Sequence, residues 1–133
     1  MTVSAGDLVV KKFDNSTDVT YTLLAASAGD KIPAIWRQNS APGTNGQKPT
    51  FTMASRPAGN GSARALDFVF QYPSVYTDTT GVTRVRSKCQ VKSTAVLPLD
   101  ATDTDIQEMA AQSMHLMAHA GVIAAIVSGY AAT

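Results

Sequence analysis

The sequence predicts an α+β chain, an antiparallel sheet followed by two helices, and three observations carry that expectation. Through the first hundred residues, short runs rich in Val, Thr, Tyr and Phe alternate with breaks bearing Gly, Pro, Asn and Asp. After Pro98 the apolar period changes from that of a strand to that of a helix. Charge is also segregated. Residues 1–30 set Lys11 and Lys12 against Asp7, Asp14, Asp18 and Asp30, a net −2. Residues 31–99 set Lys31, Arg37, Lys48, Arg56, Arg64, Arg84, Arg86, Lys88 and Lys92 against Asp67 and Asp78, a net +7. Residues 100–133 hold only Asp100, Asp103, Asp105 and Glu108, a net −4. A basic middle between acidic ends suggests one basic surface that could meet a polyanion.

The hairpin comes first, within residues 1–27. Strands are expected at 7–13 and 19–25 around the turn cluster 14–18, and residues 28–30 break the chain again. A meander fills residues 32–98. Its strands are expected at 32–38, containing Trp36, then 50–56, 63–72 and 82–97. The loop 39–47 is rich in Ser, Pro, Gly and Asn, residues 57–62 form a turn, Pro73 ends the fifth strand, and Pro98 ends the sixth. The helices occupy residues 102–130. Thr104 with Gln107 fits a capping box, and the carboxylates suit the positive end of a helix dipole. Ile106, Met109, Ala110, Ser113, Met114 and Met117 recur at helical spacing. Ala120-Gly121 breaks that pattern, 122–127 is a short second helix, and Gly129 can end it.

The 133 residues suit one domain, 1–133, and the composition, 44% hydrophobic and 16% charged, is that of a globular chain. A chain this short often gains stability from a partner. The single cysteine, Cys89, allows no intrachain disulfide and is expected as a buried thiol. The first residues lack the basic and apolar regions of a signal peptide, and the apolar run 121–127 is far too short to span a bilayer. Synthesis in a cytoplasm is the default expectation.

Strand alternation assigns the faces. In the sixth strand Arg84, Arg86, Lys88, Gln90, Lys92 and Thr94 share one side, opposite Val85, Ser87, Cys89, Val91, Ser93 and Ala95. In the fourth, Thr50, Thr52, Ala54 and Arg56 oppose Phe51, Met53 and Ser55. In the fifth, Ala65, Asp67, Val69 and Gln71 oppose Leu66, Phe68, Phe70 and Tyr72. The sheet should therefore have one apolar face and one basic face. Thr50, Thr52, Arg56, Arg84, Arg86, Lys88, Gln90, Lys92 and Thr94 make the expected nucleic-acid-binding set, because phosphate oxygens and nucleotide edges suit cations spaced by hydroxyls and amides. A merely solvated charged face is the plainer alternative. The apolar face needs cover, and Ile106, Met109, Leu116, Val122, Ile123 and Ile126 can supply it. The second helix has no polar side and needs cover on several sides. A second subunit would provide it, which makes Met109, Leu116, Val122, Ile123 and Ile126 the expected dimer interface. Packing within its own domain is the alternative.

Catalytic and metal readings find little support. His115 and His119 stand four apart on a helix, but no glutamate follows the first and no third ligand is evident. Met109, Met114 and Met117 read as core filler. No phosphate-binding loop or nucleophile elbow is present, so neither an enzyme nor a cofactor is expected.

The order of features resembles the coat proteins of single-stranded RNA bacteriophages along essentially the whole chain. The matching features are Trp36 in the first strand after the hairpin, the strand pair 50–56 and 63–72, Pro73 before a Thr- and Gly-bearing loop, Val96-Leu97-Pro98 before an acidic helix start, and Ser128-Gly129-Tyr130. The resemblance implies a homodimer with a continuous ten-stranded sheet lining an icosahedral particle, and helices of each subunit lying over the partner's sheet. It implies that Tyr76, Thr77, Asp78, Thr79, Thr80 and Gly81 form a loop at symmetry axes. It implies single-stranded RNA as partner, residence in the virion after synthesis in the bacterial host and, in many members, repression of replicase translation through an RNA hairpin. The family's inner-face contacts fall on Thr52, Ala54, Asp67, Val69, Gln90, Lys92 and Thr94. Here Val69 stands where lysine is common, Ala54 replaces a hydroxyl, and Asp67 would repel phosphate. Two other classes fit the pattern: a dimeric RNA-binding module that forms no shell, and an RNA-independent subunit of a filament or sheath.

Overall fold

The computed structural model describes residues 6–131. Six strands form one sheet in sequence order: β1 (Leu8–Lys11), β2 (Asp18–Ala25), β3 (Ala34–Arg37), β4 (Thr50–Ala58), β5 (Ala63–Thr77) and β6 (Thr83–Pro98). Two helices follow, α1 (Asp103–Met117) and α2 (Ala120–Ser128). This is the expected α+β order. The chain divides into two compact units, the sheet up to Val96 and the segment from Leu97 onward.

The first five strands pair antiparallel with their sequence neighbours, and the β4–β5 register bears out the faces expected for those two strands. Trp36 lies opposite Leu23 and Phe51, and Phe51 opposite Phe70. Val19, Tyr21, Ala34 and Trp36 are buried at the centre, with Leu23, Phe51, Met53 and Phe70 packed against them. The rings meet at an edge for Tyr21 and Phe70, 6.0 Å between centroids, and stack for Phe51 and Phe68 at 6.1 Å. Trp36 Nε1 donates to the Gly6 carbonyl at 2.8 Å, so the residue that anchors the core also holds the start of the hairpin. Between β1 and β2, Asp14 accepts from the Ser16 and Thr17 amides, both at 2.9 Å, which explains why a turn forms at that cluster.

Two strands run past prolines expected to end them. β4 continues through Pro57 to Ala58, and β5 through Pro73 to Thr77. β3 leaves β4 at the Ala34–Met53 pair, and β4 leaves β5 at the Thr50–Gln71 pair. Each proline therefore lies where its strand has lost a neighbour on one side, and a missing N–H facing that open side removes no ladder bond. Tyr76 and Thr77, expected in the loop, consequently belong to β5.

The loop between β3 and β4 is a built structure. The Gln47 side chain accepts from the Thr44 amide at 3.0 Å and donates to the Thr83 carbonyl at 3.0 Å, fastening the loop to the start of β6. Gly43 has φ +99°, a backbone conformation that favours glycine, and a Cβ there would also run into the Gln47 side chain.

In the helical unit the start of α1 differs from expectation. Thr102 is the N-cap and accepts from the Asp105 amide at 3.3 Å, so the Thr104 and Gln107 pairing is not the cap. Thr-x-x-Asp is the same geometry begun two residues earlier. α1 and α2 meet at a 56° bend, and neither is long and apolar enough to cross a membrane. The break falls at Ala118 and His119, before Ala120-Gly121, because the His119 imidazole caps α2 by accepting from the Gly121 amide at 3.1 Å. Gly129 ends α2 with φ 81°, as expected.

Candidate nucleic-acid interface

The polar face is assembled by register. Thr50 lies opposite Gln71, Thr52 opposite Val69, Ala54 opposite Asp67, and Arg56 opposite Ala65. Cross-strand partners share a face, so these eight residues lie together. β6 joins them through Thr94, whose hydroxyl donates to Asp67 Oδ1 at 2.8 Å. Arg84, Arg86, Lys88, Gln90 and Lys92 follow on that side of β6 by alternation. Of the expected RNA-binding residues, register and hydrogen bonding bring Thr50, Thr52, Arg56 and Thr94 onto one face.

Their charges are not equally available. Arg56 donates through Nε to Asp67 Oδ2 at 2.8 Å. That guanidinium first, and then Thr94, hold the Asp67 carboxyl below the usual carboxylate range. The repulsion that Asp67 would exert on phosphate is offset by Arg56, which is spent in offsetting it. Arg84 is likewise engaged, with Nε 2.6 Å from Asp78 Oδ2. Arg86, Lys88 and Lys92 have no ion pair among the described residues and are exposed. Arg86 instead lies over the Tyr76 ring, Cζ 5.2 Å from the centroid.

Sequence reasoning placed Asp78 and Tyr76 in the symmetry-axis loop but missed the partners of each. Asp78 is the hub of the β5–β6 loop, accepting from Thr80 N, Thr80 Oγ1 and Val82 N as well as Arg84. An Asp two residues before a threonine and three before a glycine is a legible turn signal. The partnership of Tyr76 with Arg86 was not legible without knowing that β5 runs through Thr77. Cys89, expected buried, is exposed. β6 is the last strand of the sheet, and midway along its odd-numbered side Ser87 and Val91 are exposed as well.

The expected interface residues also lie open. Met109, Leu116, Val122 and Ile126 are exposed, Ile123 is half-buried, and no residue of α1 or α2 is buried.

No family model and no curated protein matches the chain. Solved structures do. The chain superimposes on a virus-like particle subunit of Beihai levi-like virus 21 with a TM-score of 0.81, 16% identity, and 98% of this chain covering 99% of that one. A virus-like particle of bacteriophage NT-214 gives 0.78 at 15% identity, over 98% of this chain and 100% of that one. The capsid protein of bacteriophage GA gives 0.74 at 18% identity, over 95% of each chain. The chain has the RNA-phage coat-protein fold. Within that fold several positions marked by the resemblance are neighbours: Thr52 with Val69 and Ala54 with Asp67 as cross-strand pairs, and Thr94 on Asp67. Gln90 and Lys92 precede Thr94 on the same side of β6.

Proposed function

We propose that the chain is a capsid subunit whose dimers assemble into an icosahedral shell, with the basic face of the sheet turned inward onto single-stranded RNA. One observation carries the reading. Two helices rich in Met, Leu, Ile and Val contain no buried residue in the single chain, with Leu116 65% and Ile126 61% exposed. Apolar helices left open in this way imply cover by another chain, since patches of this kind mark interaction surfaces. The coat-protein fold supports a second copy as that cover. β6 adds a sixteen-residue strand at the sheet's edge, a template for pairing with a second β6. Met109, Leu116, Val122, Ile123 and Ile126 then form the dimer interface.

RNA contact rests mainly on Arg86, Lys88 and Lys92, since phosphate contact needs charge without a fixed pocket. Thr50, Thr52, Gln90 and Thr94 line the face between them, with Arg56 and Arg84 held by carboxylates. Repression through a specific RNA hairpin is the narrower version, and Val69 and Ala54 weigh against it. The symmetry-axis loop is Asp78 to Val82, flanked by Tyr76 and Thr77 in β5. The protein would then reside in the virion after synthesis in the bacterial host.

The test is expression in a bacterium, followed by electron microscopy and size-exclusion. Closed particles holding nuclease-protected RNA are the expected result, and Lys88→Glu with Lys92→Glu should cut the RNA content while the protein still folds. A stable small RNA-binding species would point to a module that forms no shell. Particles or filaments lacking RNA would point to an RNA-independent structural subunit.

A further inference from the structure

Ala118 and His119 alone join α1 to α2, and His119 closes the joint with its side chain. The imidazole accepts from the Gly121 amide through Nδ1 at 3.1 Å, while the His119 carbonyl accepts from the Val122 and Ile123 amides, both at 3.0 Å. The usual N-cap residues, Ser, Thr, Asn and Asp, present an oxygen that goes on accepting across the neutral range. An imidazole nitrogen accepts only while it carries no proton, and imidazoles gain that proton between about pH 8 and pH 5. The sequence makes room for the ring, since a Cβ at Gly121 would lie 3.3 Å from Nδ1, a tight contact. His119 is exposed, so protons reach it. α1 is the element packed against α2, and its titratable groups are Asp103, Asp105, Glu108 and His115. The three carboxylates lie toward the far end of α1, roughly 14 Å or more along the helix from its last residue. His115 stands one turn before the joint. α2 carries no titratable side chain, and Tyr130 follows at its other end. Neither histidine forms an ion pair among the described residues.

We propose that His119 is a pH switch built into the α1–α2 joint: neutral, it caps α2; protonated, it releases the first turn of α2. Protonation turns Nδ1 from an acceptor into a donor, so two N–H groups face each other where a hydrogen bond was. It also sets a positive charge at the N-terminus of α2, where the helix dipole is already positive. Both effects act in the same direction. The stability that the cap adds is present above the titration range and is lost as pH falls through it. The Gly121 amide must then turn to water, and the first turn of α2 keeps only its backbone bonds to the His119 carbonyl. Val122, Ile123 and Ile126 lie on α2, so the loosening reaches the dimer interface, a step that rests on the proposed role of α2 in that interface.

The experiment is hydrogen exchange followed by mass spectrometry on the full-length protein in its assembled form, from about pH 8 to about pH 5, the range over which imidazoles titrate. Rates are corrected for the intrinsic effect of pH, and the reporter is a peptide covering the joint and α2. Protection of its α2 amides should fall about fivefold on acidification, the size of one lost N-cap. His119→Asn keeps an accepting oxygen that does not titrate, and should hold the parent's high-pH protection throughout. His119→Ala should show the lowered protection at every pH, and His115→Asn should keep the parent's pH profile. Unchanged protection in the parent, acid loosening in His119→Asn equal to the parent's, or loss of the change in His115→Asn overturns the switch. Size-exclusion over the same range tests the step to the interface. The parent should dissociate more readily at the acid end, and His119→Asn should not. Loosening of α2 without that dissociation leaves the switch standing and moves the dimer interface off α2.

Discussion

Asp78 accepts hydrogen bonds from four donors: Thr80 N at 2.9 Å, Thr80 Oγ1 at 2.6 Å, Val82 N at 3.0 Å and Arg84 Nε at 2.6 Å. Arg84 first, then Thr80 and the Val82 amide, lower its pKa from 3.8 to about 2. The carboxylate is therefore favoured by the folded loop, and the stability it adds is fully present above its ordinary value. That stability fades as pH drops below 3.8 and is lost as pH falls through about 2. Exchange protection of the Val82 and Thr80 amides should stay constant from neutral pH to about pH 4 and collapse under stronger acid. Asp78→Asn should lack that acid-dependent change; a variant with the parent's profile would show that the loop is held by something else. Asp67 leads to a different expectation. Its pair with Arg56 is partly exposed, so Asp67→Asn should cost little stability. It should tighten RNA binding, since a carboxylate leaves the face and Arg56 is released; filter binding would show this, and weaker binding would count against the basic face as the contact surface. Neither pairing was legible in the sequence. Alternation placed Asp67 on the right face, but that Arg56 would take one of its oxygens and Thr94 the other depends on register between three strands.

Elements were easier to find than to bound. Each strand and helix is where patterning put it, because periodicity is a property of consecutive residues. Their ends depend on neighbours. Pro57 and Pro73 looked like stops because a proline interrupts a ladder, but β4 and β5 had already lost a partner on one side at those points. The helix caps were ambiguous for another reason: Thr102, Asp103, Thr104 and Asp105 offer several N-cap candidates within four residues. With Thr102 as the cap, Thr102→Ala should cost about 1 kcal/mol of helix stability, and Gln107→Ala should cost almost nothing at the cap. Thermal melts followed by far-UV circular dichroism distinguish the two; the reverse order would restore the Thr104 cap. At α2 the imidazole of His119 acts as the acceptor, and a histidine in that role is not among the residues that signal a helix start. His119→Asn should preserve the α1–α2 break, whereas His119→Ala should fray the first turn of α2.

For the whole molecule, the sequence supplied the chemistry of both faces and the apolar character of the helices, but a single chain carries no record of what covers them. α2 is the sharpest case. Val122 and Ile126 are exposed, Val127 is 80% exposed, and no charged residue occurs between Ala120 and Ser128. Burying one such side chain against a partner would contribute roughly 1.5–3 kcal/mol. A charge placed there has opposite consequences in the two states. In the single chain Ile126 already faces solvent, so Ile126→Asp removes little that the monomer depends on. In the proposed dimer the new carboxylate would have to be desolvated without a partner, which costs far more than the lost methyl groups. Ile126→Asp should therefore give a chain with the parent's far-UV spectrum that elutes as a small species and forms no particles. An Ile126→Asp chain that assembles would mean that α2 remains uncovered in the particle, and the interface assigned to Met109, Leu116, Val122, Ile123 and Ile126 would have to lie elsewhere.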